Sequence, residues 1–241
     1  QITVAAASYS YGSADEYLQM AYGPAATLTS YHAFVERQIT ASAYLQVLVD
    51  EKPYTEDDIS KYYDDNADSY AGNGIEKSDV KMVNVRHILI QPEGKNDDGT
   101  YTDEAWAEAE KKANDLLTEW QNGEHTEDSF AFMAAENSQD PGSVENGGLY
   151  EDIYPGKMVD EFDAWCFDPA RQPGDTGIVK TSYGYHIMYF SSTGEHAYWY
   201  VRAEEDYLNE LSVSVLQEVA AKFEVTESEQ NAAIVDIMQQ N

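Results

Sequence analysis

The hydrophobic period of this chain switches twice, and the switches divide it into three parts. Up to about residue 77 the apolar residues recur at helical spacing. Between Ser78 and Thr193 short period-two runs alternate with helical ones, and beyond Thr193 the helical spacing returns. In the middle part "VKMVNVRHILIQ" places Val83, Val85, His87 and Leu89 on one strand face. "TDEAWAEAEKKANDLLTEWQNG" reads as a helix with a stripe of Trp106, Ala109, Ala113, Leu116 and Trp120, acids in its first turn and Gly123 past its end. A short helix "TEDSFAFMAAENS", a turn-rich loop "QDPGSVENGGLY" running into a short strand, a third short helix "PGKMVDEFDAWCF", and two strands in "IVKTSYGYHIMYF" follow. A β-α-α-β-α-β-β order predicts an α+β domain, a small antiparallel sheet covered by helices.

The flanks are simpler. Ser13 and Glu16, and Thr55 and Asp58, have the spacing of helix-starting capping pairs, as do Thr226 and Glu229 near the end. Phe34, Val35, Ser42, Leu45, Leu48 and Val49 form the stripe expected of a long helix, and "AGNGIEKSDV" reads as a linker. The expected organisation is a helical segment over 1–77, the α+β domain over 78–194, and a helical segment over 195–241 that packs with the first.

His186 is the residue that asks for a function. It falls in a strand between apolar neighbours, and a buried imidazole must be hydrogen-bonded or lose stability. Strand histidines are more often satisfied core groups than ligands. His87 lies in the first strand of the same domain, and small sheets often bring first and last strands together, so the two could be neighbours; spacing alone does not prove it.

Charge excludes one large class. The 241 residues carry 14 Lys and Arg against 45 Asp and Glu, a formal net charge of −31, and nucleic-acid binding needs basic patches that replace counterions. The single cysteine, Cys166, rules out an internal disulfide and a thiolate zinc cluster and reads as a small buried hydrophobe. The acid runs lack the alternating oxygen-ligand loop of a calcium site, and His32, His125 and His196 show no ligand-like pattern. No cofactor and no metal are expected. The chain begins "QITVAAASYS", without Met and without a basic leader, which suits a mature chain or a fragment freed of its leader or anchor.

The ordered set of "VRHILI" with His87, the helix ending in "WQNG", "DSFAFMAAENSQD", "NGGLY", "GKMVDEF" and "VKTSYGYHIMYF" resembles the parvulin-type peptidyl-prolyl isomerases over roughly half the chain. The flanking helices, with "YTEDDISKYYDDNADSY" immediately upstream, are similar to those of PrsA- and SurA-type foldases. The resemblance implies an isomerase of X-Pro bonds. His87, Asp140, Thr181 and His186 would form a hydrogen-bond network beneath the twisting amide, and Met158, Phe162, Leu149 and Tyr183 would contact the substrate. Met158 and Phe162, four apart, would share one side of the third short helix. Asp140 stands where phosphate-directed relatives have a cysteine. The loop after His87 has one lysine, Lys95, among several acids, so phosphate specificity is not expected. An aromatic at Tyr183 would narrow the pocket and lower activity. The implied partners are unfolded or newly exported proteins, bound outside the cytoplasmic membrane at the cell surface. A membrane anchor missing from this chain and a homodimer are further expectations. The competing expectation is a holdase whose helical arms grip clients while the parvulin unit is weakly active or inactive.

Overall fold

The computed structural model describes residues 2–96 and 99–222. They fall into two compact units, one made by residues 2–59 with 204–222 and one spanning Ser60–Ala203. The capping pair expected at Thr226 and Glu229 lies outside the described residues.

The unit of the chain ends is helical. It contains α1 (Ile2–Ser8), α2 (Ala14–Tyr22), α3 (Leu28–Asp50), the start of α4 (Glu56–Asp65) and the later part of α9 (Tyr198–Ala220). Ser13 caps α2 by accepting from the Glu16 amide, whereas the Glu16 carboxylate accepts from the amide of Gly12, one residue before the cap. Thr55 and Asp58 form the reciprocal pair expected at α4, each side chain accepting from the other's amide. The α3 stripe is used only in part. Val49 is buried and Val35, Leu45 and Leu48 are half-buried, but Phe34 and Ser42 face solvent. Side chains just beyond α3 meet α9 through the Lys52–Glu218 ion pair at 3.1 Å and the Tyr54 hydroxyl donating to Glu204 at 3.0 Å. Both are surface interactions worth no more than about 1 kcal/mol each.

The second unit contains the rest of α4, then α5 (Ala67–Gly72), β1 (Lys81–Ile90), α6 (Asp103–Asn122), α7 (Glu127–Asn137), a short 3-10 turn at Val144–Asn146, β2 (Leu149–Ile153), α8 (Asp160–Cys166), β3 (Thr176–Thr181), β4 (Gly184–Ala197) and the start of α9. The strands form one antiparallel sheet in the order β2-β1-β4-β3. First and last strands of the sequence thus pair at its centre, from Lys81↔Ala197 to Ile90↔Tyr185. The β-α-α-β-α-β-β order holds, and the fold is α+β.

Strand alternation gives the sheet two dissimilar faces. Ile88 and Ile90 of β1 and Tyr185 and Ile187 of β4 point toward α6 and α7, where they pack with Ala109, Ala113, Trp120, Phe130 and Ala134. The alanines let both helices lie close to the strands. Ile88 and Ile187 are fully buried, each stabilising the fold by roughly 1.5–3 kcal/mol. Val83 and Val85 of β1 and Met188 and Phe190 of β4 point the other way and pack with Phe162 and Cys166 of α8. His87 and His186 belong to this second face.

A close approach of β2 to β1 fixes the two glycines of "NGGLY". The His87 amide donates to the Gly148 carbonyl at 2.8 Å, and Gly148 has φ +74°, with a side chain there driven into the His87 carbonyl. Gly148→Ala combines a left-handed backbone, about 1–2 kcal/mol, with that collision. It is expected to destabilise by more than about 2 kcal/mol, read as a lower urea midpoint at unchanged slope.

Candidate active site

The register puts the two histidines side by side. His87 pairs with Met188 and Leu89 with His186, so the imidazoles are diagonal neighbours on the α8 face. Their Nδ1 atoms are 3.0 Å apart, and the rings lie 5.2 Å apart at 22°. Both residues are buried, at 2% and 6% exposure. Such burial is tolerable only if every ring nitrogen has a partner.

Each outer nitrogen finds one. His186 Nε2 is 2.9 Å from Thr181 Oγ1, at the end of β3. His87 Nε2 is 2.9 Å from Asp140 Oδ2 and 3.0 Å from Ser143 Oγ. Asp140 reaches this place because the segment after α7 is tied to β1. The Gln139 amide donates to the Leu89 carbonyl, and the Leu89 amide donates to Ser138 Oγ. Leu89 is two residues from His87 along β1, so the residue after Gln139, Asp140, lies within reach of the His87 ring. Its carboxylate also accepts from the hydroxyls of Ser143 at 2.5 Å and Tyr150 at 2.9 Å.

Proton bookkeeping gives this chain one direction. An ionised Asp140 can only accept, so His87 Nε2–H donates to it. In neutral imidazoles His87 Nδ1 then accepts from His186 Nδ1–H, and His186 Nε2 accepts from the Thr181 hydroxyl. Thr181 Oγ1 accepts in turn from the Tyr183 amide at 3.1 Å. The pair can carry one added proton but not two, because two would set N–H against N–H across 3.0 Å. Burial, aided by the neighbouring His87 and opposed by Asp140, pushes His186 down to about 4. The hydrogen bond from His87, with those from Ser143 and Tyr150, holds Asp140 well below the usual carboxylate range against the opposing effect of burial. Burial and its bond to Asp140 push the Tyr150 phenol up to about 12.

Aromatic rings enclose the pair. Phe162, only 3% exposed, sets its edge against both imidazoles at 5.4 Å with interplanar angles of 85° and 86°. Tyr150 stacks on His87 at 5.1 Å. Of the residues expected here, His87, Asp140, Thr181, His186 and Phe162 come together. Met158 is half-buried against the same cluster but precedes α8, which starts at Asp160 after Val159; it does not share a helix face with Phe162. Tyr183 is 58% exposed in the β3–β4 turn, at the rim. Leu149 pairs with Arg86, which puts it on the α6/α7 face away from the histidines; Tyr150, paired with Val85, stands on the histidine side instead. Ser143 and Tyr150 were not among the residues the sequence singled out. Ser143 lies three residues after Asp140 in a turn, a spacing at which its hydroxyl can reach back to the carboxylate. Tyr150 follows from alternation once β2 is paired with β1.

A profile of the PPIC-type PPIASE domain matches residues 73–192, which contain every residue of this network. This segment belongs to the parvulin family. The chain is 31% identical over 106 residues to the protein named foldase protein PrsA 1 of Listeria innocua, covering 44% of this chain and 29% of that protein. It is 35% identical over 107 residues to chaperone SurA of Pseudomonas savastanoi pv. phaseolicola, covering 44% and 22%. The chain spans less than a third of the length of these two relatives. Among solved structures, PrsA from Bacillus subtilis aligns over 95% of this chain and 77% of its own length at 20% identity, with a TM-score of 0.40.

Elsewhere in the parvulin domain the one thiol is shielded. Cys166 is 2% exposed, and burial, with the Asp163 charge, pushes it up to about 12. It is expected to resist iodoacetamide at pH 8 in the folded protein and to react within minutes in denaturant, read as a mass shift. Among the described residues no cluster of three or more His, Cys, Asp or Glu could hold a metal, and no helix is long and apolar enough to cross a membrane.

Proposed function

We propose that this chain is a prolyl cis/trans isomerase acting on unfolded polypeptides, with the network of His87, His186, Asp140 and Thr181 as its active centre. The observation that carries the reading is the single continuous hydrogen-bond chain from Thr181 to Asp140 beneath Phe162, inside a segment of the parvulin family. Rotation about an X-Pro bond must break amide resonance, a barrier of about 18–20 kcal/mol. No bond to substrate has to form; the site must bind the twisted amide better than either planar form. The network suits that task because its polar groups are held by one another and offer no activated nucleophile. Phe162 and Met158 supply apolar contact for the pyrrolidine ring, and Tyr183 stands at the rim. Leu149, by its register, is left out of this contact set.

Phosphate before proline is not required in this reading. Lys95, the one lysine of the loop after β1, lies over the Tyr101 ring at 5.4 Å. The foldase part of the reading, with exported clients and action outside the cytoplasmic membrane, takes its support from the PrsA and SurA relatives. The division into 1–77, 78–194 and 195–241 is retained as a proposal. The grouping of the two chain ends in one unit supports the pairing of its outer segments, while the unit boundaries themselves fall at 59/60 and 203/204. The test is refolding of a protein whose slow phase is a prolyl isomerisation. One part of this chain in a hundred should speed that phase several-fold; an unchanged phase contradicts the proposal.

A holdase contribution rests on a separate observation, the exposed apolar side chains of the helical unit. Met20, Tyr9, Ile39 and Tyr44 are 73%, 70%, 63% and 60% exposed. If these side chains hold clients, Met20→Ser with Ile39→Ser weakens suppression of client aggregation and leaves the refolding effect intact.

A further inference from the structure

We propose that Arg86 is a positioning residue that sets the His87–Asp140 bond from the opposite face of the sheet. The inference rests on reading that bond as part of the active centre. Arg86 adjoins His87 in β1, so alternation turns its side chain toward α6 and α7. There its side chain is 17% exposed. Nε donates to Glu127 Oε1 at 2.9 Å, at the first turn of α7. Nη1 donates to the carbonyls of Asn146 and Gly147, both at 3.0 Å.

Those carbonyls end the 3-10 turn in the loop that begins at Asp140. Carbonyls at the end of a helical turn lack partners within it and carry partial negative charge, so a cation is well placed there. The loop is tight. The Val144 amide donates to the Asp140 carbonyl at 3.0 Å, and the Gly148 amide donates to the Ser143 carbonyl at 2.8 Å. One end of it therefore puts the Asp140 and Ser143 side chains on His87 Nε2, while Arg86 grips the other end. Gly147 has φ +62°, and a side chain there would press on Ala131 and on Arg86 Nη1, so the glycine admits the guanidinium. The anchor is itself fixed, because Glu127 Oε1 also accepts from Ser191 Oγ of β4 at 2.9 Å. A lysine could meet Glu127 or the carbonyls but lacks the planar fork that meets both.

The test uses the whole chain with 15N-labelled histidine, and compares Arg86→Gln, Arg86→Lys and the packing control Ile187→Val at a temperature where all are folded. The geometry predicts that in wild type His87 Nε2–H donates to Asp140 and His87 Nδ1 accepts from His186. Arg86→Gln is expected to mix the two His87 tautomers and to lower isomerisation by about tenfold, in kcat more than in KM, as a misplaced group does. Arg86→Lys should recover only part of both, and Ile187→Val should change neither. Unchanged His87 tautomers and unchanged isomerisation in folded Arg86→Gln would overturn the proposal. If Arg86→Gln does not fold, Arg86→Lys decides by the same two readings, wild-type values overturning it. If wild type itself does not isomerise X-Pro bonds, the proposed function fails, and the tautomer reading alone decides the role of Arg86.

Discussion

Phe162→Ala is expected to cost about 3–5 kcal/mol of unfolding free energy, the range for deleting a buried phenyl ring. Phe162 is 3% exposed and packs with Val83, Val85, Ile153, Val179 and Met188 as well as with both imidazoles. Its loss leaves a space whose wall is partly polar, so water can enter beside His186. That predicts a second effect which simple core loss would not give. The burial that holds His186 down at about 4 is relieved, and its titration moves back toward 6.5. Phe162→Leu, which keeps most of the apolar volume, should recover more than half of the stability and keep His186 low. Denaturant midpoints and histidine 1H–15N titrations measure the two effects separately.

The second large effect is a loss of stability in two stages on acidification. His186 has a lower pKa folded than unfolded, so the unfolded chain takes up its proton first. The stabilising contribution of its neutral burial is complete above pH 6.5 and is lost as pH falls toward 4. From 6.5 down to about 4 this amounts to about 3 kcal/mol. Asp140 acts in the same direction lower down, since its folded pKa is also depressed. Its contribution is present above the unfolded value of 3.8 and is lost as pH falls below that toward the folded pKa. Unfolding free energies at pH 7, 5, 4 and 3 should therefore fall in the upper window through His186 and in the lower window through Asp140. His186→Asn should flatten the upper window and leave the lower one. Equal slopes for wild type and His186→Asn between pH 6.5 and 4 would contradict the assignment.

The parts of this site that were legible in sequence are those that period and order control. The β-α-α-β-α-β-β order came from alternation and helical stripes, and the same alternation put His87 with Val83 and Val85 and His186 with Met188 and Phe190. What alternation cannot give is which strands pair, and with what offset. Tyr150 and Leu149 are adjacent in β2, and only the register with β1 decides that Tyr150 meets His87 while Leu149 faces the other way. Met158 was misplaced for a related reason. Four-residue spacing implies a shared helix face only if the helix has begun, and α8 begins two residues after it. Ser143 was hidden because its role depends on the loop fold that Arg86 and the two glycines impose. Phe34 and Ser42 fit the α3 stripe yet face solvent, since a stripe shows which residues can be buried and not how much of the helix is covered.

The central claim is that the His87 network and the Phe162 wall form one centre for non-covalent X-Pro rotation. Exchange NMR on a short unphosphorylated peptide containing one Ala-Pro bond tests it most directly, with the chain at one-hundredth of the peptide concentration and no protease present. The account predicts cis/trans exchange well above the spontaneous rate of tens to hundreds of seconds. It also predicts a fall of at least about tenfold in Asp140→Ala, and equal rates for a matched pair of peptides with serine or phosphoserine before the proline. Exchange indistinguishable from buffer with the folded wild-type chain, or full exchange in folded Asp140→Ala, would contradict it.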